Sequence, residues 1–189
     1  PYDGLRTYNG YSFDFESIAK ELYRVTKKGG VVVWVVGDAT IKGSETGTSF
    51  RQALFFKKCG FNLHDTMIWN KGNFTAVCSL KTRYAPVFEY MFVLTKGKIK
   101  KFNPIKDRLN KSSNRKRSGG VRQIDGSVKK LSNYDKPIQK LGQRHNVWLQ
   151  YPEMSNNNRL HPAPYPEQLA NDHIISWSNE NDIVYDTFM

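Results

Sequence analysis

The sequence predicts an α/β protein, a helix-covered sheet with an antiparallel strand pair along one edge and a basic insertion. Three observations carry this. Helical stretches alternate with short β-rich runs between residues 14 and 95, the order in which helices come to cover a sheet. One run, residues 31–36, reads Val-Val-Val-Trp-Val-Val, and so continuous a β-branched run predicts a strand buried on both faces in a parallel sheet. The charge is also segregated. Residues 96–145 hold 16 Lys and Arg against three acids (Asp107, Asp125, Asp135), while the rest of the chain carries 13 basic and 14 acidic residues.

Residues 14–25 predict the first helix, with Ile18, Ala19, Leu22 and Val25 on one face, Ser12 or Asp14 as cap and Gly29-Gly30 as stop. The strand at 31–36 ends at Gly37-Asp38, and residues 39–47 form a polar loop at its carboxyl end. Open α/β sheets bind ligands there, so Asp38 is either a ligand-facing carboxylate or a turn carboxylate capping backbone N–H groups. Thr48 or Ser49 caps a second helix that runs to about residue 58 and stops at Gly60. Residues 61–69 and 87–95 predict the antiparallel pair; Asn62, His64 and Thr66 leave the first of these strands half exposed. The link between them, residues 70–86 with Arg83-Tyr84, is long enough to be a functional loop. After the insertion, residues 146–150 predict a short strand rejoining the fold. Pro162, Pro164 and Pro166 then stiffen an extended approach to a helix whose apolar face is Leu169, Ala170, Ile174 and Trp177, with His173 beside it. Asn179-Glu180-Asn181 breaks that helix, and Ile183-Val184-Tyr185 predicts a short buried strand ending in Asp186.

At 189 residues the chain suits one domain carrying an insertion. No apolar run approaches the length of a membrane span and no signal peptide is visible. Cys59 and Cys78 stand in no metal-type or redox-type spacing, so the expectation is a reducing, cytoplasmic setting, no metal and no membrane. A neutral body with one basic segment is the footprint of a polyanion-binding region; hydrophobic and aromatic residues within it favour nucleic acid over a solvated loop. Arg115, Lys116, Arg117 and Arg122 are the candidate phosphate contacts, and Gln143, Arg144 and Asn146 suit base edges in the major groove. His64, His145 and His173 belong to no constellation and read as structural.

The segment Arg159-Leu160-His161-Pro162-Ala163-Pro164-Tyr165-Pro166-Glu167-Gln168-Leu169, with Asp182-Ile183-Val184-Tyr185-Asp186-Thr187-Phe188-Met189 after it, resembles part of the DNA amino-methyltransferases. These enzymes methylate adenine N6 or cytosine N4 with S-adenosyl-L-methionine (SAM). In that family His-Pro-[Ala/Thr]-x-[Phe/Tyr]-Pro leads through a helix and a strand into Asp-Pro-Phe-x-Gly-x-Gly. Thr187 stands here where the family has proline. Pro1-Tyr2 resemble the end of the family's [Asp/Ser]-Pro-Pro-Tyr motif. Glu21-Leu22-Tyr23-Arg24-Val25-Thr26-Lys27-Lys28-Gly29-Gly30 and Phe88-Glu89-Tyr90-Met91-Phe92-Val93-Leu94 resemble its helix-to-strand turn and a late strand. Catalytic motif first and SAM loop last is the order of the family's β group.

The resemblance implies a class I SAM-methyltransferase (Rossmann-like) sheet. Residues 1–95 would be the catalytic half, 96–146 a target-recognition insertion, and 147–189 the start of a SAM-binding half; the chain would then be the inside of a longer protein, truncated at both ends. It also implies roles. The Pro1 carbonyl accepts a hydrogen bond from the target amine, Tyr2 stacks on a base flipped from duplex DNA, and Asp3 lines the same pocket. Asp186 and Phe188 open the SAM pocket, with His161, Pro162 and Ala163 near the methionine end. Tyr2 can alternatively be an ordinary half-buried aromatic. An exocyclic amine needs acceptors and an in-line methyl rather than a covalent adduct, so no cysteine nucleophile is required. The expected setting is a bacterial, archaeal or phage restriction-modification system, with the protein a monomer or homodimer. Two other readings stand beside this one: a non-catalytic nucleic-acid-binding module, and an RNA amino-methyltransferase.

Overall fold

The computed structural model describes residues 13–72, 80–149 and 165–187. The first element, α1 (Phe15–Val25), starts where Asp14 accepts a hydrogen bond from the Ser17 backbone N–H at 3.2 Å. It buries Phe15, Ala19 and Leu22, while Val25 falls outside the expected face and is 49% exposed. There follow β1 (Val31–Val36), the two-residue strands β2 (Thr40–Ile41) and β3 (Ser44–Glu45), and α2 (Thr48–Cys59). Next are β4 (Asn62–Asn70) and β5 (Phe88–Thr95), then the short strands β6 (Arg108–Leu109), β7 (Gly120–Arg122), β8 (Val128–Lys130) and β9 (Leu141–Gly142). The chain closes with β10 (Val147–Leu149) and α3 (Glu167–Trp177).

Four strands form the main sheet in the order β1-β5-β4-β10. β5 pairs antiparallel with both β1 and β4, whereas β10 lies parallel to β4. The antiparallel β4–β5 pair is as the sequence predicts. Its position is not: β5 is internal and β10 lies beyond β4, so the pair does not close the edge. Among the described residues the neighbour of residues 31–36 is antiparallel rather than the parallel one expected: β1 runs against β5, Val31 opposite Thr95 and Val36 opposite Tyr90. That run is continuously apolar because both its faces are covered. Val32, Trp34 and Val36 join the core under α1 and α2, and Val31 and Val35 pack on the core under α3. The sheet is thus sandwiched between helical layers, with Phe92 and Leu94 of β5 facing one and Met91 and Val93 the other.

β4 serves both layers through a bulge. Its register with β5 shifts between Leu63 and Asp65, leaving His64 as the extra residue. Leu63 therefore packs on the α1/α2 side, while Met67 and Trp69 pack on the α3 side.

Two further expectations are corrected. In α3 the buried residues are Leu169, Asp172, His173 and Ser176, whereas Ile174 is 42% exposed. Polar side chains occupy the inner face because they find partners there. Ser176 Oγ donates to the Asp172 carbonyl at 2.7 Å, Gln168 donates to Asp172 Oδ1 at 2.7 Å, and Trp177 Nε1 donates to His173 Nδ1 at 3.3 Å. The His173 ring also stacks on Trp148 at 4.4 Å. Residues 183–185, expected as a buried strand, have no strand partner among the described residues and are exposed. β-branched composition alone forms no strand without a ladder to bond.

Two compact units are distinguishable: Pro1–Asn103 with Asn146–Met189, and Pro104–His145. The second is built from the β6–β9 pair and the β7–β8 hairpin.

Candidate functional site

β1, β4 and β10 point the same way, so their carboxyl ends at Val36, Asn70 and Leu149 share one rim of the sheet, where β5 begins at Phe88. Asp38 lies just past β1, and its two possible roles are resolved by its partners. It accepts from the Ser49 backbone N–H at 3.0 Å, from Ser49 Oγ in a short hydrogen bond, and from Thr46 Oγ1 at 3.3 Å. It is the cap of α2. The residue preceding that helix, Gly47, has φ +64° and no side chain to offer, so neither Thr48 nor Ser49 is the cap. Between Asp38 and α2 the polar loop folds into the β2–β3 hairpin, turned by Lys42 and Gly43 at φ +48° and +82°, the paired positive φ of a type I′ turn. Arg83 donates to the Gly43 carbonyl and lies 4.0 Å from Glu45, tying the loop before β5 to this hairpin. Its neighbour Tyr84 is fully exposed.

The α3 side of the same rim holds a cluster that the sequence reading passed over. Lys71 and Glu89 form a half-buried ion pair at 2.6 Å, and the Lys71 ammonium lies 5.4 Å from the Trp69 ring centroid. Tyr165 meets Trp69 edge-on at 5.8 Å. The Tyr165 phenol is pushed well above its ordinary pKa by burial first, then by the Glu89 and Asp186 carboxylates. Trp69 Nε1 is buried without an acceptor among the described residues. The signal was present in the sequence as a Trp-Asn-Lys triplet ending a strand.

Of the residues singled out in the sequence, Pro1, Tyr2, Asp3, His161, Pro162, Ala163 and Phe188 lie outside the described residues, as does Cys78. Asp186 is exposed and its charge reaches Tyr165. Cys59 is a half-buried free thiol whose pKa is raised by burial. Among the described residues no three His, Cys, Asp or Glu side chains gather as a metal site, and no helix is long and apolar enough to cross a membrane.

The unit Pro104–His145 carries the basic candidates. An open groove of about 1220 Å³ within it is lined by Lys106, Arg108, Lys111, Arg117, Lys140 and His145, among others. Arg108 pairs with Gly142 across the β6–β9 ladder and donates from Nε to the Gln143 carbonyl at 3.0 Å. A Cβ on Gly142 would come within 2.6 Å of its guanidinium. Arg115 and Arg122 are exposed, and Lys116 pairs with Asp135 at 3.1 Å on the surface. Arg144 is committed to Asp107, with Nε and Nη2 at 2.9 and 2.5 Å from the same carboxylate oxygen. Asn146 donates its amide to the Thr66 carbonyl at 3.3 Å, holding the chain onto β4.

The chain is 54% identical over 197 residues to the orphan methyltransferase M.BamHII of Bacillus amyloliquefaciens, covering all of this chain and 73% of that one. Among solved structures, the PvuII DNA methyltransferase (cytosine-N4-specific) superposes with a TM-score of 0.60 at 19% identity, over 94% of this chain and 60% of that one. The M1.HpyAVI–SAM complex gives 0.50 at 16% identity, over 88% and 61%. The chain thus spans about three fifths of these solved chains, and the likeness shows that it shares their α/β fold. The N6/N4 methyltransferase family model, described as DNA methylase, matches residues 1–189. With a match along its whole length and a relative of such high identity, the chain belongs to the N6/N4 DNA methylase family.

Proposed function

We propose that this chain forms part of a SAM-dependent DNA methyltransferase acting on an exocyclic amine, adenine N6 or cytosine N4, of a base flipped out of duplex DNA. The observation that carries the reading is the family match along residues 1–189. The basic unit supports a duplex substrate, since Arg115, Lys116, Arg117 and Arg122 offer cations to phosphates. When bound, SAM supplies the electrophilic methyl. The donor chemistry at the rim fits such a group: Asp186 is an exposed carboxylate beside Tyr165, with Glu89 acting on the same phenol. Glu89 is balanced by Lys71, so it is the Asp186 carboxylate that suits a cofactor bearing an ammonium and a sulfonium. Asp186, Phe188 and the run His161, Pro162, Ala163 are the residues assigned to hold it. Pro1 and Tyr2 are assigned to the target base, Pro1 through its carbonyl and Tyr2 by stacking, with Asp3 in the same wall. Drawing the amine's protons toward acceptors frees its lone pair for the methyl, which is a matter of positioning.

The test incubates the full protein with labelled SAM and unmethylated duplex DNA, then digests the DNA and separates the nucleosides. Label on N6-methyladenine or N4-methylcytosine is expected and names the amine. Salt-sensitive DNA binding without label would instead make the chain a binding module. Tyr2→Ala in the full protein is expected to lower turnover about 10- to 100-fold, the worth of one stacked base, with nonspecific duplex affinity unchanged; a collapse of that affinity would make Tyr2 structural.

A further inference from the structure

The β7–β8 hairpin leaves its strands exposed on both sides and ends in an apolar residue. Val121 is 50% and Val128 66% exposed, and Ile124 at the turn is fully exposed. Single exposed hydrophobics are ordinary on protein surfaces. Three features set this one apart. The turn is held from within: Gln123 N–H donates to the Ser127 carbonyl at 2.8 Å, and Gly126 N–H to the Gln123 carbonyl at 3.1 Å. Asp125 Oδ1 accepts from both Ser127 N–H and Ser127 Oγ, at 2.9 and 2.7 Å. Gly126 takes φ +84°, which lets the turn close. Cationic side chains flank the tip, because Val121 pairs with Lys129 and Arg122 with Val128. One face of the hairpin therefore presents Val121 with Lys129, and the other Val128 with Arg122 and Lys130. Finally, the surrounding unit is overwhelmingly basic, with Asp107, Asp125 and Asp135 as its only acids.

We propose that this hairpin is a wedge for duplex DNA, inserting Ile124 between base pairs while Arg122, Lys129 and Lys130 hold the adjoining phosphates. The proposal rests on the nucleic-acid reading of the basic unit and deepens it. An apolar side chain partly unstacks a base step when it enters a groove, at a cost offset by phosphate contacts around it. A bonded turn delivers Ile124 without first ordering a loop. The Asp125 carboxylate remains charged beside the tip, and Arg122, Lys129 and Lys130 outnumber it there. A second copy of this chain is a poorer occupant, because the same cations that attract phosphate would repel their equivalents across a symmetric contact.

The test uses the full protein and mixed-sequence duplexes with 2-aminopurine in place of scattered adenines, whose fluorescence rises when bases unstack. Wild-type protein at saturation is expected to raise the signal severalfold and Ile124→Ala to lose most of that rise. The binding midpoint should change by less than about twofold, since phosphate contacts dominate affinity. Ile124→Leu should restore the signal, separating insertion from a folding defect. An equal rise for wild type and Ile124→Ala, or no rise for either, overturns the wedge. So does a change in sedimentation mass for Ile124→Ala with the DNA signal intact. Methyl transfer is measured separately with labelled SAM; unstacking without transfer would fail only the enzyme reading, and transfer without Ile124-dependent unstacking only the wedge.

Discussion

Gly60 ends α2 at φ +111°, and an added Cβ would lie 2.7 Å from the Tyr23 ring. That ring has little room to move: it meets Phe61 edge-on at 5.0 Å and lies under the Lys96 ammonium at 4.4 Å. Gly60→Ala should therefore cost about 1–3 kcal/mol, combining left-handed strain with the displaced ring, read as a lower denaturant midpoint at unchanged m-value. His173 makes a different kind of prediction. Burial lowers its pKa from 6.5 to about 4, opposed by the Asp172 charge. Between those values the unfolded chain binds the proton and the folded chain does not. The stability linked to His173 is thus complete above pH 6.5, falls as the pH drops toward 4, and levels off below that. The total is on the order of 3 kcal/mol. Denaturant midpoints measured across this range should fall more steeply for the wild type than for His173→Gln, and matching slopes would dismiss the assignment.

Elements were legible in the sequence where the signal was local. Asp14 announces α1, Gly60 stops α2, and two β-rich runs around a long link make the β4–β5 pair. What failed was non-local. Val31 to Val36 are apolar whether the next strand is parallel or antiparallel, because helices on both faces impose the same demand. The face of α3 was misread because Asp172, His173 and Ser176 are polar by type but find partners within their own helix, with Met91 Sδ 3.1 Å from His173 Nε2. Ile183, Val184 and Tyr185 show the converse, strand formers without a ladder among the described residues. The α2 cap was missed for a related reason: Asp38 is 11 residues from Ser49, beyond any local capping pattern.

For the molecule as a whole, segregation of charge was readable from composition, since no folding moves sixteen basic residues out of one stretch of chain. Which cations remain available was not readable. Arg144 looked suited to a base edge but is held by Asp107, whereas Arg115 and Arg122 stay exposed. The family motifs were legible, yet most residues they single out lie outside the described residues, so the rim cluster of Trp69, Lys71, Glu89 and Tyr165 is the part structure adds. Reversing the charges of Arg115, Lys116 and Arg117 together should reduce the slope of log affinity against log salt by at least about 2 for duplex DNA. An unchanged slope in a salt titration would remove these three from the phosphate-binding surface.

The bulge in β4 bears on how this chain tolerates changes in length. Leu63 already stands opposite Leu94 and Asp65 opposite Val93, so excising His64 would leave a regular ladder with every neighbour on its present side. Losing Met67 instead would turn one end of the strand inside out. A variant lacking His64 should still unfold in one cooperative transition, losing chiefly the 6.1 Å ring contact with Trp177, while one lacking Met67 should not fold. Sequences descended from a common ancestor with this one can accordingly gain or lose a residue at this point in β4 without an intermediate that fails.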